Sequence, residues 1–195
     1  MMTATRLKPT PLTASEPNDD FALMQRIGQG DAAAYRALVE LHMPRALRFA
    51  ERMLGSRADA EDAVQDVFTR LWRDTAGWKP EAKFSTWLWR VMFNACIDQK
   101  RRRKPVADVE LEMFADTAPL ADSVMIASEQ SMRVRTAMKT LPDRQQAALA
   151  LCYYEGISNA EAAETLGITL NVLQTTLFRA RQKLKILLKD GNHAA

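Results

Sequence analysis

Asn171, Gln174, Thr175, Thr176, Phe178, Arg179 and Arg181 stand close together in a basic stretch of this 195-residue chain. In a major groove, Asn and Gln amides can pair with an adenine edge and Arg with a guanine edge. Thr175, Arg179 and Arg181 can also hold phosphates, which sets register without reading sequence. A second group mixes rings with cations. All four tryptophans, Trp72, Trp78, Trp87 and Trp89, fall in one short stretch, with Phe84 and Phe93 beside them and the basic run Lys100, Arg101, Arg102, Arg103, Lys104 after them. Rings stack on any base and cations follow a phosphate backbone, a pairing suited to single-stranded nucleic acid. For Phe84 and Trp87 a place in the core is the better reading, whereas Trp78 sits in a Gly-Pro loop. The third group is Glu61, Asp62, Gln65, Asp66, Thr69, Arg70 and Arg73, opposite an apolar helical stripe. It reads either as a solvated face with pairs such as Asp66–Arg70 or as a protein-docking face of mixed charge.

Catalysis would need converging nucleophile, base or metal groups, and the sequence offers none. Cys96 and Cys152 each stand alone in an apolar helical pattern and read as buried thiols. His42 and His193 are far apart, so no metal or cofactor site is expected, and no small-molecule substrate. Apolar residues make up 47% and charged residues 26%, which suits a folded protein. The net charge of +3 argues only weakly for nucleic acid, so the placement of charge carries the argument. The longest apolar run, Ala147 to Tyr154, falls far short of the roughly 20 residues that span a bilayer. With no signal-peptide pattern in the first residues, a soluble cytoplasmic protein without membrane insertion is expected.

The elements that must position these groups are helical throughout. Residues 1–20 lack periodicity and read as a flexible tail. A first domain covers 21–104. Asp31 caps a helix that Pro44 kinks or splits and Gly55 ends. Ser56 and Asp59 form a capping box for a second helix, buried through Ala60, Ala63, Val64, Val67, Phe68, Leu71 and Trp72. The segment Ala76 to Pro80 makes a loop, and a third helix runs from Ser85 to Lys104. Residues 105–128 hold Asp108, Glu110, Glu112, Asp116 and Asp122 with no Lys or Arg, and read as a linker. A second domain covers 129–190, with a short tail after it. Pro142 takes the first position of a helix reaching Glu155. Ser158 and Glu161 cap a short helix, Gly167 turns the chain, and Thr169 caps a long basic helix. Leu173, Leu177, Ala180 and Leu184 share its inner face, giving a helix-turn-helix. The expected fold is all-α: two small helical domains joined by a flexible acidic linker.

The motifs resemble a known family. Asp59-Ala-Glu-Asp-Ala-Val-Gln-Asp-Val-Phe-Thr-Arg-Leu-Trp72 is similar to the polymerase-docking helix of extracytoplasmic-function (ECF) sigma factors of the sigma-70 family. The stretch Phe84-Ser-Thr-Trp-Leu-Trp through Arg103 resembles their −10 recognition helix. Leu141-Pro-Asp-Arg-Gln, Glu155-Gly-Ile-Ser through Thr169, and Leu177-Phe-Arg-Ala-Arg181 resemble their −35 reading domain. The likeness covers about residues 21 to 188, in the family's order and spacing.

The resemblance implies a transcription initiation factor whose partners are core RNA polymerase, at the β′ clamp helices and the flap, and promoter DNA. It assigns Asp62, Gln65, Asp66, Thr69, Arg70, Trp72 and Arg73 to polymerase docking. Trp78, Lys79, Lys83, Trp89, Arg90, Asn94, Lys100, Arg101, Arg102 and Arg103 go to the melted −10 strand, with the loop from Gly77 to Lys83 capturing a flipped base. Asn171, Gln174, Thr175, Thr176, Phe178, Arg179 and Arg181 go to the −35 duplex. An anti-sigma factor wedged against both domains is an implied partner. Many relatives carry Lys and Arg where this chain has Gln174 and Thr176, so its −35 sequence should differ from theirs. The linker would thread the polymerase cleft, its acidity helping to place or expel it. No fused regulatory domain is expected after Asp190. The alternative is a helix-turn-helix regulator of duplex operators without a sigma role; the Trp-rich basic first domain argues against it.

Overall fold

A computed structural model describes residues 17–74, 83–103 and 125–190, and among them the chain is helical with no strand. The 1–16 part of the expected tail, the loop with Trp78 and Lys79, Lys104, most of the acidic linker and residues 191–195 lie outside the described residues.

Helix α1 spans Pro17–Gly28 and α2 spans Ala32–Leu54. Asp31 starts α2 as expected: its carboxylate accepts the Ala33 and Ala34 amides at 2.8 and 3.1 Å, two of the donors that a helix start leaves unpaired. Pro44 does not split the helix, which continues unbroken to Leu54. Gly55 closes it at φ 69°, its N–H donating to the Glu51 carbonyl at 2.8 Å. Helix α3 is Arg57–Asp74. Only half of its expected capping box forms. The Asp59 amide donates to Ser56 Oγ at 3.4 Å, but the Asp59 carboxylate is turned toward Arg103 instead. Helix α4 is Phe84–Arg103.

Helix α2 packs against α1, α3 and α4. Leu38, Phe49, Phe68, Leu88 and Trp89 are buried between them. His42 Nε2 and Asp20 Oδ1, 2.8 Å apart and buried, fasten α1 to α2, and the edge of the His42 ring meets Phe84 at 5.0 Å.

Helix α5 is Met125–Lys139, so four residues that the sequence assigns to the linker are already helical. Helix α6 is Asp143–Leu149, and one π-helical turn, Ala150–Tyr154, extends it. Pro142 stands at the cap of α6, one position before the one expected. Helix α7 is Asn159–Thr165, with both halves of the Ser158–Glu161 capping box formed. Gly167 turns the chain at φ 62° into α8, Leu170–Asp190. Leu173, Leu177 and Ala180 on α8 are buried, and Leu184 packs at their edge. Helix α8 lies against α5, α6 and α7.

The two helical groups touch. Helix α7 packs on α4, and α5 and α6 pack on α2. One contiguous apolar cluster runs from Met24 in α1 to Ala180 in α8. A fully buried Leu, Met or Phe contributes about 1.5–3 kcal/mol, so the shared cluster is a substantial tie between the halves.

Candidate functional site

The outer face of α8 follows from its inner one. Burying Leu173, Leu177 and Ala180 turns Asn171, Gln174, Thr175, Phe178 and Arg179 to solvent. Phe178 is 56% exposed, an unusual place for a ring that no groove covers. The Thr175 hydroxyl donates to the Asn171 carbonyl at 2.9 Å and the half-buried Thr176 hydroxyl to the Val172 carbonyl at 2.7 Å. Both oxygens keep lone pairs for other contacts. Arg181 is exposed but leans back, donating to the Tyr153 hydroxyl at 3.0 Å.

Helix α3 presents the mixed-charge face as expected. Asp62, Gln65, Asp66, Thr69, Arg70 and Arg73 are all exposed. Its ion pairs stand at its two ends, Arg57 with Glu51 and Glu61 and Asp59 with Arg103 at one, and Arg73 with Asp74 at the other. The expected burial of Trp72 is corrected: the ring is 42% exposed and lies tilted against Tyr35 at 4.9 Å.

Helix α4 departs further from expectation. Trp89 cannot stack on a base here, because it is 1% exposed. Its ring lies 5.4 Å from Phe49, under the Arg45 guanidinium at 5.5 Å. Phe84 is buried and Trp87 half-buried, as expected. Asn94, Arg101, Arg102 and Arg103 are exposed, and Arg103 reaches Asp59. Phe93, Asn94, Ile97, Asp98 and Arg101 of α4 face Asp143 and Arg144 of α6 across an open cleft of about 480 Å³.

The other cations expected at α4 point at the C-terminal helices. Lys83 Nζ donates to Glu161 Oε1 at 2.6 Å. Arg90 donates to the Glu164 carbonyl at 2.9 Å. Lys100 Nζ, half-buried, donates to Asp143 Oδ1 at 2.6 Å and to Gln146 Oε1 at 2.9 Å. The Lys83 ammonium beside Glu161 holds that carboxyl below its ordinary range, and the Glu161 carboxylate raises Lys83 in turn.

Two residues missed in the sequence hold the same seam. Gln146, fully buried, donates from Nε2 to the Arg52 carbonyl, one of the last carbonyls of α2 that its own helix leaves free. Glu155, whose side chain is 2% exposed, accepts from Arg45 at 3.2 Å and Arg52 at 3.4 Å. Arg45 also donates to the Glu155 carbonyl at 2.8 Å. Nothing in the periodicity marks either residue, since their partners on α2 lie some hundred positions away.

The sequence and the fold have known relatives. Residues 38–106 match the family described as Sigma-70 region 2, and residues 131–184 match Sigma-70, region 4. The ECF RNA polymerase sigma factor SigM of Mycobacterium tuberculosis is 33% identical over 169 residues, covering 87% of this chain and 84% of that protein. The chain belongs to the ECF sigma factor family. It is an RNA polymerase sigma factor that acts on core polymerase and promoter DNA. The ECF sigma factor SigW of Bacillus subtilis is 29% identical over 178 residues, covering 86% of this chain and 95% of its own. Among solved structures, CnrH in complex with the cytosolic domain of CnrY shares the fold at a TM-score of 0.69 and 25% identity, covering 88% of this ECF sigma factor and 98% of CnrH. Among the described residues, no helix is long and apolar enough to cross a membrane, and no cluster of acidic, His or Cys residues could hold a metal ion.

Proposed function

We infer that three surfaces of this sigma factor divide the work of promoter use. The exposed face of α3, with Asp62, Gln65, Asp66, Thr69, Arg70, Trp72 and Arg73, docks on the β′ clamp helices of core polymerase. The outer face of α8, from Asn171 to Arg181, reads the −35 duplex. Lys83, Arg90, Asn94 and the Lys100 to Arg103 run of α4, joined by Trp78 and Lys79, hold the opened −10 strand. Trp89 has no part in that contact. The chain makes no bond itself, and its work is done in the cytoplasm.

The observation that carries this reading is the orientation of α8. Its apolar stripe is spent on α5, α6 and α7, so the side chains able to read base edges face outward on the second helix of a helix-turn-helix. An anti-sigma factor is the proposed regulator, in keeping with the complex that the similar CnrH forms with the cytosolic domain of CnrY.

In vitro transcription with bacterial core polymerase, on a promoter from upstream of the protein's own gene, tests the assignment. The chain should give defined starts that core alone does not. Asp66→Arg should weaken capture of core polymerase while leaving far-ultraviolet circular dichroism unchanged. Arg179→Ala should weaken promoter binding by about 1–3 kcal/mol. Unchanged promoter affinity in that variant would remove Arg179 from the reading face. Binding of the duplex without any transcript would favour an operator-binding regulator.

A further inference from the structure

Asp59 is the acidic residue in the first turn of α3, yet its carboxylate does not complete the helix start. The side chain turns inward and is only 8% exposed, with Oδ1 accepting Arg103 Nη2 from the end of α4. Oδ2 is buried too and has no hydrogen-bond partner among the described residues. Arg103, the last residue of α4, keeps 56% of its side chain exposed. One bond from a solvated guanidinium offsets little of the cost of burying a carboxylate with an oxygen left unpaired. Stability is therefore a poor account of Asp59.

Geometry gives a better one. A guanidinium is planar and carries five N–H donors in a fixed fork. The bond at Nη2 restrains that fork, and the remaining donors stay open to solvent. Paired N–H donors are what a phosphate takes best. A free arginine at a helix end must order its long side chain on contact, whereas a held one is already ordered. The holder is also well placed. Asp59 lies three residues before Asp62, on the helix whose outer face is assigned to polymerase docking. Through Asp59 the end of α4 takes its bearing from α3 as well as from its own backbone.

We propose that Asp59 is a positioning residue for the −10 strand: its buried carboxylate holds the Arg103 guanidinium so that the free donors meet a phosphate of the opened strand. The proposal rests on the assignment of α4 to that strand. Its sign runs against plain electrostatics. A carboxylate near a polyanion repels it, so removing that charge would by itself tighten binding. A positioning role predicts that binding weakens.

The test uses the full-length chain bound to core polymerase. The probe is a labelled single-stranded oligonucleotide with the non-template sequence around the −10 element of the promoter from upstream of the protein's own gene. Fluorescence anisotropy reads its affinity from about 50 to about 300 mM salt. Asp59→Asn should weaken binding and flatten the slope of log affinity against log salt by about 0.7, the share of one phosphate on a single strand. Arg103→Ala should do the same, and the double variant should bind no more weakly than either alone. Circular dichroism and capture of core polymerase should be unchanged in Asp59→Asn. Wild-type or tighter binding in that variant would overturn the proposal. A further loss on adding Asp59→Asn to Arg103→Ala would overturn it too, because Asp59 would then act by another route. If Asp59→Asn fails to fold, Arg103→Lys carries the test from an exposed side chain. It keeps the charge and loses the fork. It should bind less tightly than wild type, and equal affinity would show that charge alone matters. Arg101→Ala with Arg102→Ala separates the causes. If that variant binds as wild type does, the assignment of α4 to the −10 strand has failed; if it binds weakly while Asp59→Asn does not, only the positioning role has failed.

Discussion

Gln146 shows how much one side chain can hold. Its amide donates to the last turn of α2 and accepts from Lys100, with no water able to replace either contact. Gln146→Ala would leave a buried carbonyl and part of an ammonium unpaired, and should lower the unfolding free energy by about 1–3 kcal/mol, read from urea denaturation. The two cysteines, both expected to be buried, differ in kind. Burial pushes the Cys96 thiol up to about 12; it raises Cys152 as well, but that thiol is only half-buried and stays within reach of solvent. Only a thiolate attacks an alkylating reagent. Iodoacetamide at neutral pH should therefore modify Cys152 while Cys96 stays unmodified until the chain unfolds, as peptide mass spectrometry would show. Equal rates at the two sites would mean that the core around Cys96 opens freely.

At the scale of the helix, local chemistry was legible and facing was less so. Asp31, Gly55, Ser158 with Glu161, Gly167 and Thr169 mark ends that backbone donors and acceptors require, and each stands where the sequence puts it. The inner face of α8 was legible as well, because its apolar residues fall in a single stripe. Helix α4 has no such stripe: Phe84, Trp87, Leu88, Trp89, Val91, Met92 and Phe93 surround it. Periodicity cannot choose a buried face there, so packing against α2 decided that Trp89 goes in. Pro44 likewise does not split its helix, one of the two outcomes open to it in the sequence. A proline costs one hydrogen bond and a clash, which the surrounding contacts of Leu38, Ala46, Phe49 and Ala50 outweigh. Gly55 offers a direct test of how firmly an end is set. A side chain there would adopt a left-handed backbone and run into the Lys139 side chain of α5. Gly55→Ala should cost about 1–2 kcal/mol from the backbone alone, measurable as a lowered urea midpoint with an unchanged slope.

The molecule as a whole depends on pairs that no local pattern announces. Lys83 with Glu161, Lys100 with Asp143, and Arg45 with Glu155 join residues far apart in the chain, so only the folded packing brings them together. Their pH response follows from the direction of each shift. Glu161 is held below its ordinary value of 4.5, so its contribution is complete above that pH and is lost as pH falls below it. Lys83 is raised above its ordinary 10.5, so its contribution is complete below that pH and lost as pH climbs beyond it. Glu164 adds a second carboxylate near Lys83 in the same sense. The radius of gyration should stay flat from about pH 6 to about pH 9 and rise on acidification below about pH 4.5; a rise near neutral pH would point to a titrating group other than this pair. The seam also bears on inheritance. Gln146 completes the end of a helix that begins more than a hundred residues earlier, and Glu155 answers two arginines on that same helix. Each half of the chain thus carries the complement of the other. A recombinant joining α1–α4 to the C-terminal helices of a distant relative would keep both folds and both reading surfaces yet lose the match between them, so the halves are suited to being passed on as one unit.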